Sequence, residues 1–210
     1  MIAVEALSRF SAAPLQSPDV WFAHAWAAGV GRDLELVAAQ RALADLDALP
    51  EGVRMELNIS PETLLCDEAL ELFAAVPEGR VVVEITEHEP FHDSGLLRTR
   101  LDELRASGVV CALDDMGTGY AGLATLLALR PEVHKIDRSI VRGIRADRAR
   151  RALVAGWVAY AEQSGAEVVA EGIETPEELD TLRILNVRLG QGFHLARPAA
   201  IDQLQLTPSA

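Results

Sequence analysis

The spacing of apolar residues along this chain alternates between two patterns, and the alternation dictates the elements. Short β-branched runs are followed by a polar or glycine-containing turn and then by ten or more residues with apolar positions three or four apart. The pattern predicts strands over Ile2–Leu7, Val53–Ile59, Val81–Thr86, Val109–Leu113, Glu132–Ile136, Glu167–Ala170 and Val187–Gly190. It predicts helices over Pro18–Ala28, Asp33–Ala48, Asp67–Ala75, Ser94–Ala106, Ala121–Leu129, Asp147–Gln163 and Pro176–Leu185. Ser17 before Pro18 and Thr175 before Pro176 are helix-start signals, because the hydroxyl caps free amides and proline tolerates the first helical position. Val81-Val82-Val83 and Val168-Val169-Ala170 are apolar on successive residues, so these strands are expected to be buried on both faces. Strands alternating with helices imply an α/β fold with a parallel sheet, open or closed. The helices over Ser94–Ala106 and Asp147–Gln163 read as scaffold, each with one buried stripe.

No linker, repeat or low-complexity stretch divides the 210 residues, so one domain spanning 1–210 is expected. The net charge of -13 argues against a nucleic-acid polymer or an anionic membrane surface as partner, unless a local basic patch or a metal reverses it. Cys66 and Cys111 lie in apolar stretches without metal-ligand spacing, which fits a reducing cytoplasm. No apolar run approaches the roughly 18 residues of a membrane span, so no membrane insertion is expected.

The chemistry is concentrated at strand ends. Glu5, Asn58, Glu84, Asp114 with Asp115, Lys135, Glu171 and Gln191 stand at or just beyond the C-terminal ends of the predicted strands. In a parallel α/β barrel those ends open on one face, where active sites are built. Two like charges about 4 Å apart repel by about 4 kcal/mol at a surface-like dielectric, so such a cluster needs cations. All-oxygen ligands favour Mg²⁺ or Mn²⁺ over Zn²⁺, and a carboxylate shared between two ions is the usual way to hold a pair for phosphoester hydrolysis.

Seven segments in order resemble the signature set of EAL-domain cyclic di-GMP phosphodiesterases. They are Glu5-Ala6-Leu7 with Arg9, Asn58-Ile59-Ser60, Glu84-Ile85-Thr86-Glu87, Asp114-Asp115-Met116-Gly117-Thr118-Gly119-Tyr120, Lys135-Ile136-Asp137, Ala170-Glu171-Gly172-Ile173-Glu174-Thr175 and Gln191-Gly192-Phe193. The resemblance implies a TIM-like (β/α) barrel and hydrolysis of cyclic di-GMP to linear pGpG by two-metal activation of a water nucleophile. By that resemblance Glu5, Asn58, Glu84 and Asp114 ligate one ion of Mg²⁺ or Mn²⁺. Asp114 and Asp115, with Glu174 or Glu171, serve the second. Lys135 orients the water and neutralises phosphate charge, Glu171 is the general base, and Leu7, Arg9 and Gln191 contact the substrate. Glu87 pins the loop from Met116 to Gly122. A homodimer and an upstream sensor domain or partner chain are expected too. The competing reading from the same family is a silent cyclic di-GMP receptor; it commonly lacks one of the acids, and this sequence keeps them.

Two other motifs carry less weight. His88-Glu89-Pro90-Phe91-His92 matches the zinc-protease pattern, but that chemistry needs a continuous helix, which Pro90 breaks. Gly117-Thr118-Gly119-Tyr120-Ala121-Gly122 matches the dinucleotide fingerprint, yet Asp114 and Asp115 stand where a pyrophosphate would approach. Met116 replaces a usual phenylalanine and Ala121-Gly122 a serine pair, which touches loop behaviour rather than ligands. Only four residues precede Glu5, so the family's first, antiparallel strand is expected to be missing. The seam is then expected to be covered by Ile201–Leu206, a partner or upstream sequence.

Overall fold

The computed structural model describes residues 2–86, 94–117 and 122–204. The chain divides into two compact units, one formed by residues 1–85, 95–110 and 201–210, the other by 86–94 and 111–200.

The first unit holds three parallel strands in chain order, β1 (Ala3–Glu5), β2 (Arg54–Asn58) and β3 (Val81–Thr86). Five helices accompany them: α1 (Pro18–Ala27), α2 (Gly31–Leu43), α3 (Pro61–Leu64), α4 (Asp67–Ala74) and α5 (Ser94–Ala106). Residues 81–85 of β3 are all buried, as a strand with two covered faces requires. α5 contributes Leu97, Leu101 and Leu104, one turn apart and at most 1% exposed, which is the single stripe expected of it.

The second unit continues with β4 (Val110–Met116), β5 (Val133–Ile136), β6 (Glu167–Ala170) and β7 (Leu189–Gly190), again parallel and in order, with α6 (Gly122–Leu129), α7 (Arg138–Val141), α8 (Arg148–Ser164) and α9 (Pro176–Ile184). Its core joins Leu113, Ile136 and Ala170 from strands to Val154, Trp157 and Leu182 from helices. On α8, Val154, Trp157, Val158 and Ala161 form the buried stripe, Asp147 caps the start by accepting from the Ala149 and Arg150 amides, and Gly165 ends it at φ +76°.

Several boundaries differ from expectation. β1 stops at Glu5, leaving Leu7 outside it, and β4 runs on to Met116 across Asp114 and Asp115. The single-turn helices α3 and α7 were not expected, since four residues show no period. Residues 201–203 form a 3-10 turn, and 205–210 lie outside the described residues, as do Glu87 and the segment 88–92. Among the described residues, β1 pairs with β2 and β7 with β6, and no helix is long and apolar enough to cross a membrane.

Two buried carboxylates brace the loops that follow the strands. In the first unit Glu35 accepts from Trp26 Nε1 at 3.0 Å and from the Ser60 amide and hydroxyl at 3.0 and 2.8 Å, fixing the turn just after Asn58. In the second, Glu178 completes a capping box with Thr175 and accepts amides of Glu174, Thr175 and Gly143 at 3.0, 3.1 and 3.1 Å. Burial alone would raise the Glu178 carboxyl, but the Glu174, Gly143 and Thr175 amides outweigh it and hold the group below its ordinary range. A lowered folded-state value means the stabilisation is present above about pH 4.3 and is lost as pH falls through the folded value. Glu178→Gln is therefore expected to cost roughly 2 kcal/mol at pH 7 by denaturant unfolding, and less at pH 3.5. A loss equal at both pH values would show that the charge is not what holds these amides.

Candidate active site

In the first unit Glu5 ends β1, Asn58 ends β2 and Glu84 lies in register with Asn58 on β3. Asn58 Nδ2 donates to Glu5 Oε1 at 2.8 Å, which leaves the Asn58 carbonyl oxygen as the atom able to face a cation. Glu84 is 1% exposed, and an ionised carboxylate that deep is stable only with compensating charge or donors. Leu7 and Arg9 are exposed on the segment after β1, and Arg9 Nη1 donates to the Ser8 carbonyl at 2.8 Å.

In the second unit the decisive feature is a bulge. Leu113 pairs with His134 and Met116 with Ile136, so three steps on β4 face two on β5, and the extra residue falls at Asp114-Asp115. In a regular strand neighbouring side chains point to opposite faces. Here Asp115 sits at φ +57°, a conformation aspartate tolerates better than most residues, and its amide donates to Asp114 Oδ1 at 2.8 Å. The result is that Asp114, Asp115 and Glu171 each bring a carboxylate oxygen within 4.8 Å of the others. Glu171 arrives directly after β6, its amide bonded to the Ile136 carbonyl at 3.0 Å.

Lys135 lies at the centre of this cluster, on β5 and wholly buried. Its Nζ is 2.9 Å from Glu171 Oε1 and 3.7 Å from Asp114 Oδ1. One ammonium faces three carboxylates, so the excess negative charge calls for a cation, and the donors are all oxygen, as Mg²⁺ and Mn²⁺ prefer. The trio fits such an ion.

Of the expected residues, Glu171 and not Glu174 brings an oxygen to this trio; Glu174 is exposed and lies with Arg138 and Arg142 instead. Gln191 follows β7, with its amide on the Ala170 carbonyl at 2.8 Å. Glu87 falls outside the described residues. The roles of Glu35 and Glu178 went unread. The spacing Thr175-x-x-Glu178 is a legible capping signal, while nothing in the sequence marks Glu35 as buried.

Comparison with known proteins identifies the family. The EAL domain family matches residues 1–198. NbdA of Pseudomonas aeruginosa, a cyclic di-GMP phosphodiesterase, is 33% identical over 202 residues, which cover 91% of this chain and 26% of the relative. PdeG of Escherichia coli K12, named as a probable cyclic di-GMP phosphodiesterase, is 34% identical over 162 residues, covering 74% of this chain and 32% of that protein. The chain thus spans a third or less of either relative's length. BlrP1 of Klebsiella pneumoniae, solved with manganese and cyclic di-GMP, superposes with a TM-score of 0.81 at 32% identity, over 91% of this chain and 50% of that one. The fold is therefore the TIM-like barrel of EAL domains, and the chain belongs to the EAL domain family.

Proposed function

We propose that this chain hydrolyses cyclic di-GMP to linear pGpG with divalent cations, Mg²⁺ or Mn²⁺, as cofactors. The carrying observation is the convergence of Asp114, Asp115 and Glu171 around the buried Lys135. The relatives named as phosphodiesterases and the manganese and cyclic di-GMP complex of BlrP1 support the same reading. Asp114 and Asp115 would hold cation in the second unit, and Glu5, Asn58 and Glu84 are the oxygen ligands the first would offer. When bound, the cations supply Lewis-acid stabilisation of phosphoryl oxygens and lower the pKa of water.

The chain's own residues do the rest. Glu171 accepts the proton as a water oxygen bonds to phosphorus and the P–O3′ bond breaks. The departing O3′ takes a proton from solvent to become the 3′-hydroxyl of the linear product. Lys135, 2.9 Å from Glu171, orients that carboxylate beforehand and offsets charge developing on the phosphate. Leu7, Arg9 and Gln191 contact the substrate, Glu174 and Glu87 support the loops, and the domain acts as a homodimer in the cytoplasm under an upstream sensor or a partner chain.

Incubation with cyclic di-GMP and Mn²⁺ or Mg²⁺ is expected to give linear product, and excess chelator to abolish it. Full turnover in chelator would sink the metal mechanism, whereas binding without turnover at saturating Mn²⁺ would make the domain a receptor. Mn²⁺ is expected to raise the unfolding temperature of the parent more than that of Asp114→Asn, because metal that binds the folded state stabilises it. Equal shifts in both would remove Asp114 from the metal site. Glu171→Gln is expected to leave substrate binding within a few fold while lowering kcat by roughly 10² or more. A loss confined to KM would assign Glu171 to binding.

A further inference from the structure

The second unit contains a strongly basic segment that hydrolysis does not use. Arg138, Arg142, Arg145, Arg148, Arg150 and Arg151 fall within fourteen residues whose acidic member is Asp147, in a chain of net charge -13 with only 19 lysines and arginines. Part of this charge is structural. Arg151 Nη1 donates to the Ile144 carbonyl at 3.1 Å, and Arg150 reaches both Asp147 and the Arg142 carbonyl, tying α7 to α8.

Arg138 and Arg142 are different. Both are exposed, and among the described residues no carboxylate lies within 4.0 Å of either guanidinium. With Ser139, Arg150, Gly172 and Glu174 they line a cavity of about 450 Å³. Its walls are held in place from behind. Glu178 accepts the Gly143 amide from one wall and the Glu174 and Thr175 amides from the other. At the base, Gly172 adopts φ +63°, and a Cβ there would stand 2.3 Å from Arg138 Cβ, so only glycine permits this approach. Two exposed guanidiniums with no carboxylate at hand, beside one cavity in a protein that is otherwise acidic, leave positive charge that an anion can neutralise.

We propose that this cavity binds a nucleoside monophosphate through its phosphomonoester. Guanidinium forks match phosphate oxygens in pairs, and a dianion neutralises two of them where a diester neutralises one. The Ser139 hydroxyl supplies one further donor, and the Glu174 carboxylate accepts N–H or O–H groups from the base or sugar. The volume lies within the roughly 300–1,000 Å³ of small-molecule sites. If the hydrolysis proposed above holds, the cavity also distinguishes product from substrate, since cyclic di-GMP has only diesters and ring opening creates a phosphomonoester.

The test is calorimetric titration of the whole chain with GMP in excess EDTA at fixed ionic strength, so that the readout depends on neither metal nor turnover. Binding at one site is expected, weakened at least tenfold in the Arg138→Ala/Arg142→Ala variant and unchanged in Asp114→Asn. An unaltered unfolding temperature and Mn²⁺ shift in the double-arginine variant would show that it folds. Absence of GMP binding by the parent overturns the proposal, as does equal affinity in the arginine variant. Loss in Asp114→Asn would move GMP to the carboxylate cluster and overturn it equally. Binding of inorganic phosphate but not GMP would refute the nucleoside part. Failure of the hydrolysis assay alone would leave this result standing.

Discussion

Three carboxylates with oxygens inside 4.8 Å of one another repel by about 3 to 4 kcal/mol per pair at an effective dielectric near 20, and the second unit is organised around that cost. A buried lysine answers part of it. Lys135 is itself expensive to bury, since an ammonium removed from water needs close anionic partners, and Glu171 at 2.9 Å and Asp114 at 3.7 Å are those partners. The acids and the lysine each make the other tolerable. What remains is a net negative surplus at the ends of β4, β5 and β6, and only a cation of charge two or more removes it without another side chain.

The geometry that gathers these groups depends on few devices. Without the bulge at Asp114-Asp115, one of the two acids would point away from Glu171, because the strand period is two. Without the Ile136 carbonyl receiving the Glu171 amide, the chain after β6 would lack its register at the point where the carboxylate must turn inward. Glu35 and Glu178 use acidic side chains in the opposite sense, spending their charge on amides of the loops instead of presenting it to a ligand. The same residue type therefore serves two purposes, separated by whether backbone donors consume its lone pairs.

Much of this was legible in the sequence. The β-branched runs located the strands, and polar residues at their ends located the chemistry, because an apolar strand has no reason to finish repeatedly on Glu, Asn, Asp or Lys. The errors have physical causes. The end of β4 was set too early, at Leu113, since two aspartates terminate an apolar run, whereas pairing continues through a bulge to Met116. α3 and α7 are too short to show periodicity, so nothing in the apolar spacing announces them. The choice between Glu171 and Glu174 lay beyond pattern reading, since three residues of loop with a positive φ at Gly172 decide which carboxylate turns toward Asp114.

That loop also connects the two charged regions of the second unit. Glu171 belongs to the carboxylate trio, while Gly172 and Glu174, one and three residues on, line the cavity with Arg138 and Arg142. The backbone between them is restrained on both sides, by the close approach of Arg138 at Gly172 and by Glu178 holding the Glu174 and Thr175 amides. A restrained segment transmits displacement instead of absorbing it, because packed neighbours leave discrete arrangements and little continuous slack. Any anion drawn to the arginines would change the field and the packing on one side of Gly172, and the candidate base is the adjacent residue. Acidic and basic clusters that would neutralise each other in direct contact are thus kept apart by a few residues of fixed backbone, which leaves each with unspent charge for a ligand of opposite sign.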